Sequence, residues 1–172
     1  MVWWRLKNSS YLCGDMKRLS LVLAILLIGG NLGCKKDPCK KVDCKNGGTC
    51  VDGACRCNLP WEGNQCEIDA RDKFVGAWKG TENCGQPADA TTTIVKSTAS
   101  PLRIVFDQYY YGVYAELTSS TNITIPSQQV TLGQTTITVS GNGVLNGNTL
   151  ILNITYSSGG QGITCTSTLN RQ

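Results

Sequence analysis

Ten cysteines and no histidine define the chemistry open to this chain. Cysteine thiols can pair with one another, hold a metal ion or act as nucleophiles. The lack of histidine removes every mechanism built on imidazole, including Ser-His-Asp arrangements and His-ligated metals. The remaining acid–base route is a pair of carboxylates, as in glycoside hydrolysis. Its candidates are Glu82, Asp89, Asp107 and Glu116. No two of these can be placed at catalytic separation from the sequence. Glu116 alternates with apolar Val113, Ala115 and Leu117, so it is expected to face solvent. Gly159-Gly160-Gln161-Gly162 lacks the lysine and the strand-then-helix setting of a phosphate loop, and reads as a hairpin loop. The expectation is a protein that is not an enzyme, with no catalytic residue, no metal and no cofactor.

The fate of the thiols depends on compartment. Lys17 and Arg18 precede an uncharged run from Leu19 to Ile28, followed by small residues at Gly29, Gly30 and Gly33 and then Cys34. That order is the one of a secretory signal. The apolar run is shorter than the roughly 20 residues a membrane-crossing helix needs. A start at Met16 gives a signal of ordinary length. Met1 to Asp15, with its lone Cys13, then reads as a mis-assigned start or a long positive leader.

Leu32-Gly33-Cys34 resembles the bacterial lipobox, with Asn31 where that family usually has leucine. The resemblance implies a diacylated Cys34 as the mature N-terminus, and Lys35-Lys36-Asp37-Pro38 as a polar tether. Two acyl chains hold a protein stably at a membrane. The alternative is plain cleavage nearby, with Cys34 left as a spare thiol. Of the net charge of +4, Arg5, Lys7, Lys17 and Arg18 against Asp15 contribute +3, so the exported part carries about +1 (4 − 3) with no basic stripe. Nucleic acid is therefore not an expected partner.

Six cysteines from Cys39 to Cys66 follow the spacing C-x4-C-x5-C-x4-C-x-C-x8-C. So short a segment cannot bury a core that offsets its chain entropy, and needs covalent staples. Spacing alone leaves the pairing open. Asp52-Gly53 between two short extended runs predicts a type I′ hairpin. In such a hairpin Cys50 and Cys55 stand opposite each other, able to reach back to the segment with Cys39 and Cys44. A zinc site is the competing reading of clustered thiols, and export with the hairpin argues against it.

Cys44-Lys-Asn-Gly-Gly-Thr-Cys50 and Cys55-Arg-Cys57-Asn-Leu-Pro-Trp61-Glu-Gly63-Asn-Gln-Cys66 resemble the epidermal-growth-factor-like (EGF-like) family. The resemblance implies the bridges Cys39–Cys50, Cys44–Cys55 and Cys57–Cys66. The acidic residues of the calcium-binding members are missing before Cys39, where Asp37 stands alone, so calcium is not expected. A module of this kind implies protein or glycan contact. Trp61 is its candidate contact residue, against the plainer reading that it packs on the Cys57–Cys66 bridge.

After a charged link, Glu67 to Asp72, the composition turns to Thr, Ile, Val, Gly, Asn and Ser with period-2 alternation. Leu102, Ile104 and Phe106 share a face, as do Val113, Ala115 and Leu117; Ile137 and Val139; and Leu150, Leu152, Ile154 and Tyr156. Asn146-Gly147 predicts a type I′ hairpin joining 136–145 to 148–157. About eight strand candidates suit a small barrel or sandwich. A Cys84–Cys165 bridge would tie the first strand to the last and favours a closed up-and-down barrel.

Phe74-Val-Gly76-Ala-Trp78-Lys-Gly80 is similar to the Gly-x-Trp opening of lipocalin-like barrels, which implies that Trp78 closes one end near a late arginine, Arg171. The whole arrangement resembles surface lipoproteins of Bacteroidetes-type bacteria. Tyr109, Tyr110, Tyr111 and Tyr114 form a candidate contact cluster for protein or sugar, against the reading that they flank a Tyr111-Gly112 hairpin and cover a barrel end.

The expected fold is thus a small disulfide-rich EGF-like module plus an all-β domain, preceded by a signal helix. Residues 1–33 form the targeting segment, 34–38 the tether, 39–67 the module and 73–172 the lipocalin-like domain. The expected function is a membrane-anchored, exported binding or structural protein at the outer membrane or cell surface, with a protein or glycan partner. The alternative is a lipocalin-like carrier of a small apolar ligand. A secreted eukaryotic protein, glycosylated at Asn122 and Asn153, is a more distant reading.

Overall fold

The computed structural model describes residues 36–108 and 110–172. The signal segment, Cys34 and Tyr109 lie outside the described residues. A short hairpin comes first, β1 (Thr49–Val51) and β2 (Ala54–Arg56), which brings Cys50 opposite Cys55. Asp52 and Gly53 both have positive φ, 51° and 86°, as a type I′ turn requires. The bridges are Cys39–Cys50, Cys44–Cys55 and Cys57–Cys66, the pairs that the resemblance implies. Cys66 is fully buried, so this module has a sulfur-centred interior in place of an apolar core.

The charged stretch after the module is not a free link. It forms β4 (Ile68–Asp69), which pairs with β3 (Trp61–Glu62), and then a 3-10 turn over Ala70–Lys73. The charges stay compatible with this order because each one has a partner. Asp69 caps the turn by accepting from the Arg71 backbone N–H at 3.0 Å. It also pairs with the Arg71 guanidinium at 2.7 Å and with Lys96 at 3.0 Å. Arg71 reaches across to the carbonyls of Ser97 and Ser100, and Lys73 pairs with Glu62 at 2.7 Å. Ala70 donates its N–H to the Pro60 carbonyl at 2.7 Å, while the Ala70 and Phe74 side chains are buried in the barrel core. One short segment thus belongs to both the module and the barrel.

Eight strands follow: β5 (Gly76–Asn83), β6 (Pro87–Lys96), β7 (Arg103–Gln108), β8 (Tyr114–Leu117), β9 (Asn122–Leu132), β10 (Thr135–Asn146), β11 (Thr149–Ser158) and β12 (Gln161–Arg171). Each pairs antiparallel with the next, and β12 pairs with β5 to close the barrel. The predicted alternation holds: Ile104, Phe106, Val113, Ala115, Leu117, Val139, Leu150, Leu152 and Ile154 are all buried inward. Trp78, Phe74, Phe106 and Tyr110 add large rings, so an eight-stranded interior is filled by its own side chains. At the β5–β12 seam, a Cβ on Gly80 would lie 1.9 Å from the Thr168 carbonyl oxygen. Glycine at this position is therefore what lets the closing strands approach.

The β10–β11 hairpin differs by one residue from the expected turn. Asn146 pairs with Thr149, which leaves Gly147 and Asn148 as the central residues. Only Gly147 has positive φ, at 59°, the pattern of a type II′ turn with glycine first. Both turns match strand twist and both keep Leu145, Leu150 and Leu152 on one face; the register formed sets Leu145 directly opposite Leu150 as a cross-strand pair.

Cys84 and Cys165 are bridged across a sequence separation of 81. Replacing both with alanine should cost about 4 kcal/mol by the chain-entropy argument, read as a lower denaturation midpoint in non-reducing urea titrations. At the junction, burial alone would push the Asp69 carboxyl up. Hydrogen bonds from Arg71 and Lys96 outweigh it and hold Asp69 at about 2, below its ordinary 3.8. The folded value is depressed, so this stabilisation is fully present above about pH 4 and fades as pH falls toward 2. Asp69→Asn should abolish that part of the acid sensitivity, measured as urea midpoints from pH 2 to 6.

Candidate functional site

The two ends of the barrel differ. The end next to the disulfide-rich module is plugged. Trp78 is fully buried, and its indole N–H donates to the Phe74 carbonyl at 2.7 Å. The Arg171 guanidinium lies 4.7 Å over the indole ring and donates to the carbonyls of Val75 and Lys73. This is the Trp–Arg arrangement implied by the opening motif. Its job here is structural: a planar cation covers an aromatic face and takes up carbonyls left over by the turn into β5.

The opposite end holds the polar chemistry. Successive side chains of β5 alternate, so Trp78 and Glu82 point inward on the same strand. Glu82 is 5% exposed. Its carboxylate accepts from Ser167 Oγ at 2.8 Å and from Tyr156 Oη at 3.1 Å. Tyr110 Oη donates in turn to Ser167 Oγ at 2.9 Å, and the Tyr110 ring meets Phe106 edge-on at 5.5 Å. Four elements therefore converge on one buried carboxylate: β5, β11, β12 and the β7–β8 loop. A buried carboxylate needs such donors, since leaving it unsatisfied would carry its full desolvation cost.

Tyr156 also belongs to a surface cleft of about 380 Å³, lined by Ile137, Tyr156, Ser157, Ser158, Gln161 and Ile163. The lining mixes apolar and hydroxyl or amide groups. No Asp, Glu, Lys or Arg is among them. Ile163 is 48% exposed there, although it lies on a barrel strand.

The carboxylate candidates separate cleanly. Glu82 points into the barrel, whereas Asp89 and Asp107 are exposed on its outside and Glu116 is half-exposed there, paired with Arg103 at 2.8 Å. The glycosidase arrangement, two carboxylates facing one substrate, is not what these four positions form. Glu82, Cys84 and Cys165 lie close enough together to suggest a metal cluster. Both sulfurs are in a disulfide, which leaves no thiolate to ligate a metal.

The tyrosine run is divided among three environments. Tyr110 is buried, Tyr111 is 59% exposed in a positive-φ turn with Gly112, and Tyr114 is half-buried under the Arg103 guanidinium at 3.8 Å. These three do not form one contact surface. Trp61 is half-buried in the β3–β4 pair, so it takes part in the junction. Sequence reasoning named Glu82 without its partners and missed the cleft. A signal for it was present: between Glu116 and Arg171 there is no Asp, Glu, Lys or Arg, a run that spans β9 to β12. No protein-family model matches the chain, and no curated protein matches its sequence.

Tyr156→Phe deletes one donor to the buried carboxylate and should cost about 1–3 kcal/mol. Ser167→Ala breaks two links at once and should cost more. The double variant should depart from additivity, because the groups share one acceptor. Urea unfolding of the three variants measures this directly.

Proposed function

We propose that this chain is an exported, non-enzymatic binding or structural protein, anchored by lipid on Cys34 at the outer membrane or cell surface. An EGF-like module carries a lipocalin-like barrel outward from that anchor. The observation that carries the reading is the state of the cysteines: all eight among the described residues are in four disulfides, which fits an oxidising, exported location. The ordered junction supports the spacer role, since Asp69, Arg71, Lys96 and the Lys73–Glu62 pair hold the module against the barrel.

The absence of histidine and the outward placement of three of the four carboxylate candidates favour binding over catalysis. The carrier alternative needs an interior with room for a ligand. Trp78, Phe106, Tyr110 and the surrounding leucines and isoleucines occupy that interior, which favours a filled structural barrel whose contacts are made on its outside.

Intact mass of the mature protein extracted from membranes tests the reading. The expected species starts at Cys34, carries a diacylglycerol thioether and has eight oxidised cysteines. Cleavage at another residue, or alkylatable thiols in the native protein, would overturn anchor and location together.

A further inference from the structure

We infer that the cleft between Ile137, Tyr156 and Ile163 binds a neutral oligosaccharide. The inference rests on the binding-protein reading above and gives that reading a ligand class and a site. Its basis is the distribution of charge. The half of the barrel from β9 to β12 has no charged residue before Arg171, and its outer face presents hydroxyls and amides in register. Asn142 pairs with Asn153, and Asn153 with Thr166. Thr166 Oγ1 donates to Asn153 Oδ1 at 3.1 Å, and Thr155 and Thr164 share a hydrogen bond at 3.0 Å. The cleft opens behind this face, at the barrel mouth, where the inward-facing Ile137, Tyr156 and Ile163 meet the β11–β12 turn, and its lining likewise carries no Asp, Glu, Lys or Arg.

Each ligand class makes a different demand on such a site. An anionic glycan or phosphate calls for Arg or Lys to offset its desolvation, and the cleft has neither. A cationic ligand calls for an exposed carboxylate. No carboxylate lines the cleft, and Glu82 beneath it already accepts from Tyr156 and Ser167. A purely apolar ligand would cover Ser157, Ser158 and Gln161 without replacing their bonds to water.

A neutral sugar meets all the lining groups. Its hydroxyls both donate and accept, as serine hydroxyls and the glutamine amide do. Its C–H faces pack on the Tyr156 ring and on the aliphatic side chains of Ile137 and Ile163. Tyr156 is held at its hydroxyl by Glu82, so little side-chain freedom remains to be lost on binding. The cleft of about 380 Å³ falls within the range of small-ligand sites.

Native affinity electrophoresis of the full mature protein tests this, in gels containing glycogen, dextran, yeast mannan, galactomannan or mixed-linkage β-glucan, with polygalacturonate as the anionic comparison. The expected result is retardation by at least one neutral polysaccharide that persists when salt is raised. Tyr156→Ala should weaken it about tenfold or more. Gln161→Ala, at the exposed first residue of β12 where little packing is at stake, should also weaken it, while Lys79→Ala on another strand should not. Retardation by none of the neutral polymers, by polygalacturonate alone, or undiminished in both cleft variants overturns the inference. If the mature mass is as expected in that case, the anchored binding-protein reading stands and only its ligand class falls.

Discussion

Closure of the sheet on itself is the constraint on which the rest of this molecule depends. An open eight-stranded sheet would expose two edges and both faces, and this chain has too few charged residues in its second half to protect them. Pairing β12 with β5 removes the edges and makes a distinct inside and outside. Gly80 permits the close approach, the Cys84–Cys165 bridge ties the seam near one end, and Arg171 over Trp78 covers the other. Every inward side chain then has neighbours on all sides, including a carboxylate that would be untenable in an open sheet.

Closure also explains why the junction is ordered. A barrel end left bare would expose Trp78 and the carbonyls at the start of β5. Ala70 and Phe74 fill that end, and the turn that delivers them is held by Asp69, Arg71 and Lys96. The same turn is fastened to the disulfide-rich module through Pro60 and Glu62. The stretch that sequence reasoning treats as a charged link is therefore one in which each charge has a defined partner. Its high charge marks an ion-pair network and not a solvated tether, a distinction that residue type alone does not make.

Charge is divided along the chain in a way that matters for function. Ionisable side chains are concentrated in the module, the junction and the strands from β5 to β8, whereas β9 to β12 present Thr, Asn, Ser and Gln. A surface without formal charge forgoes electrostatic steering and long-range selectivity. What it offers is short-range hydrogen bonding with little desolvation penalty, which suits recognition of uncharged polar partners. The site inferred above lies at the barrel mouth bordering that surface, and its lining is uncharged as well.

The disulfide-rich module, the barrel class, the inward alternation of the strands and the pairing of Cys84 with Cys165 are all legible from residue order alone. Each of these is a local pattern or a consequence of few alternatives: cysteine spacing, an Asp-Gly turn, a period of two, two cysteines left over. Which polar groups meet follows from the closed barrel instead. Glu82, Tyr110, Tyr156 and Ser167 are up to 85 residues apart, and nothing in their local sequence marks them as neighbours. The β10–β11 turn lies one residue beyond the expected one, a shift that leaves the same side chains inward and changes only which of them sit directly opposite, as Leu145 does Leu150. The tyrosine run was likewise split, since turn geometry sends adjacent residues to opposite sides. Local chemistry decides what a segment can form. Long-range closure decides which of its side chains come together.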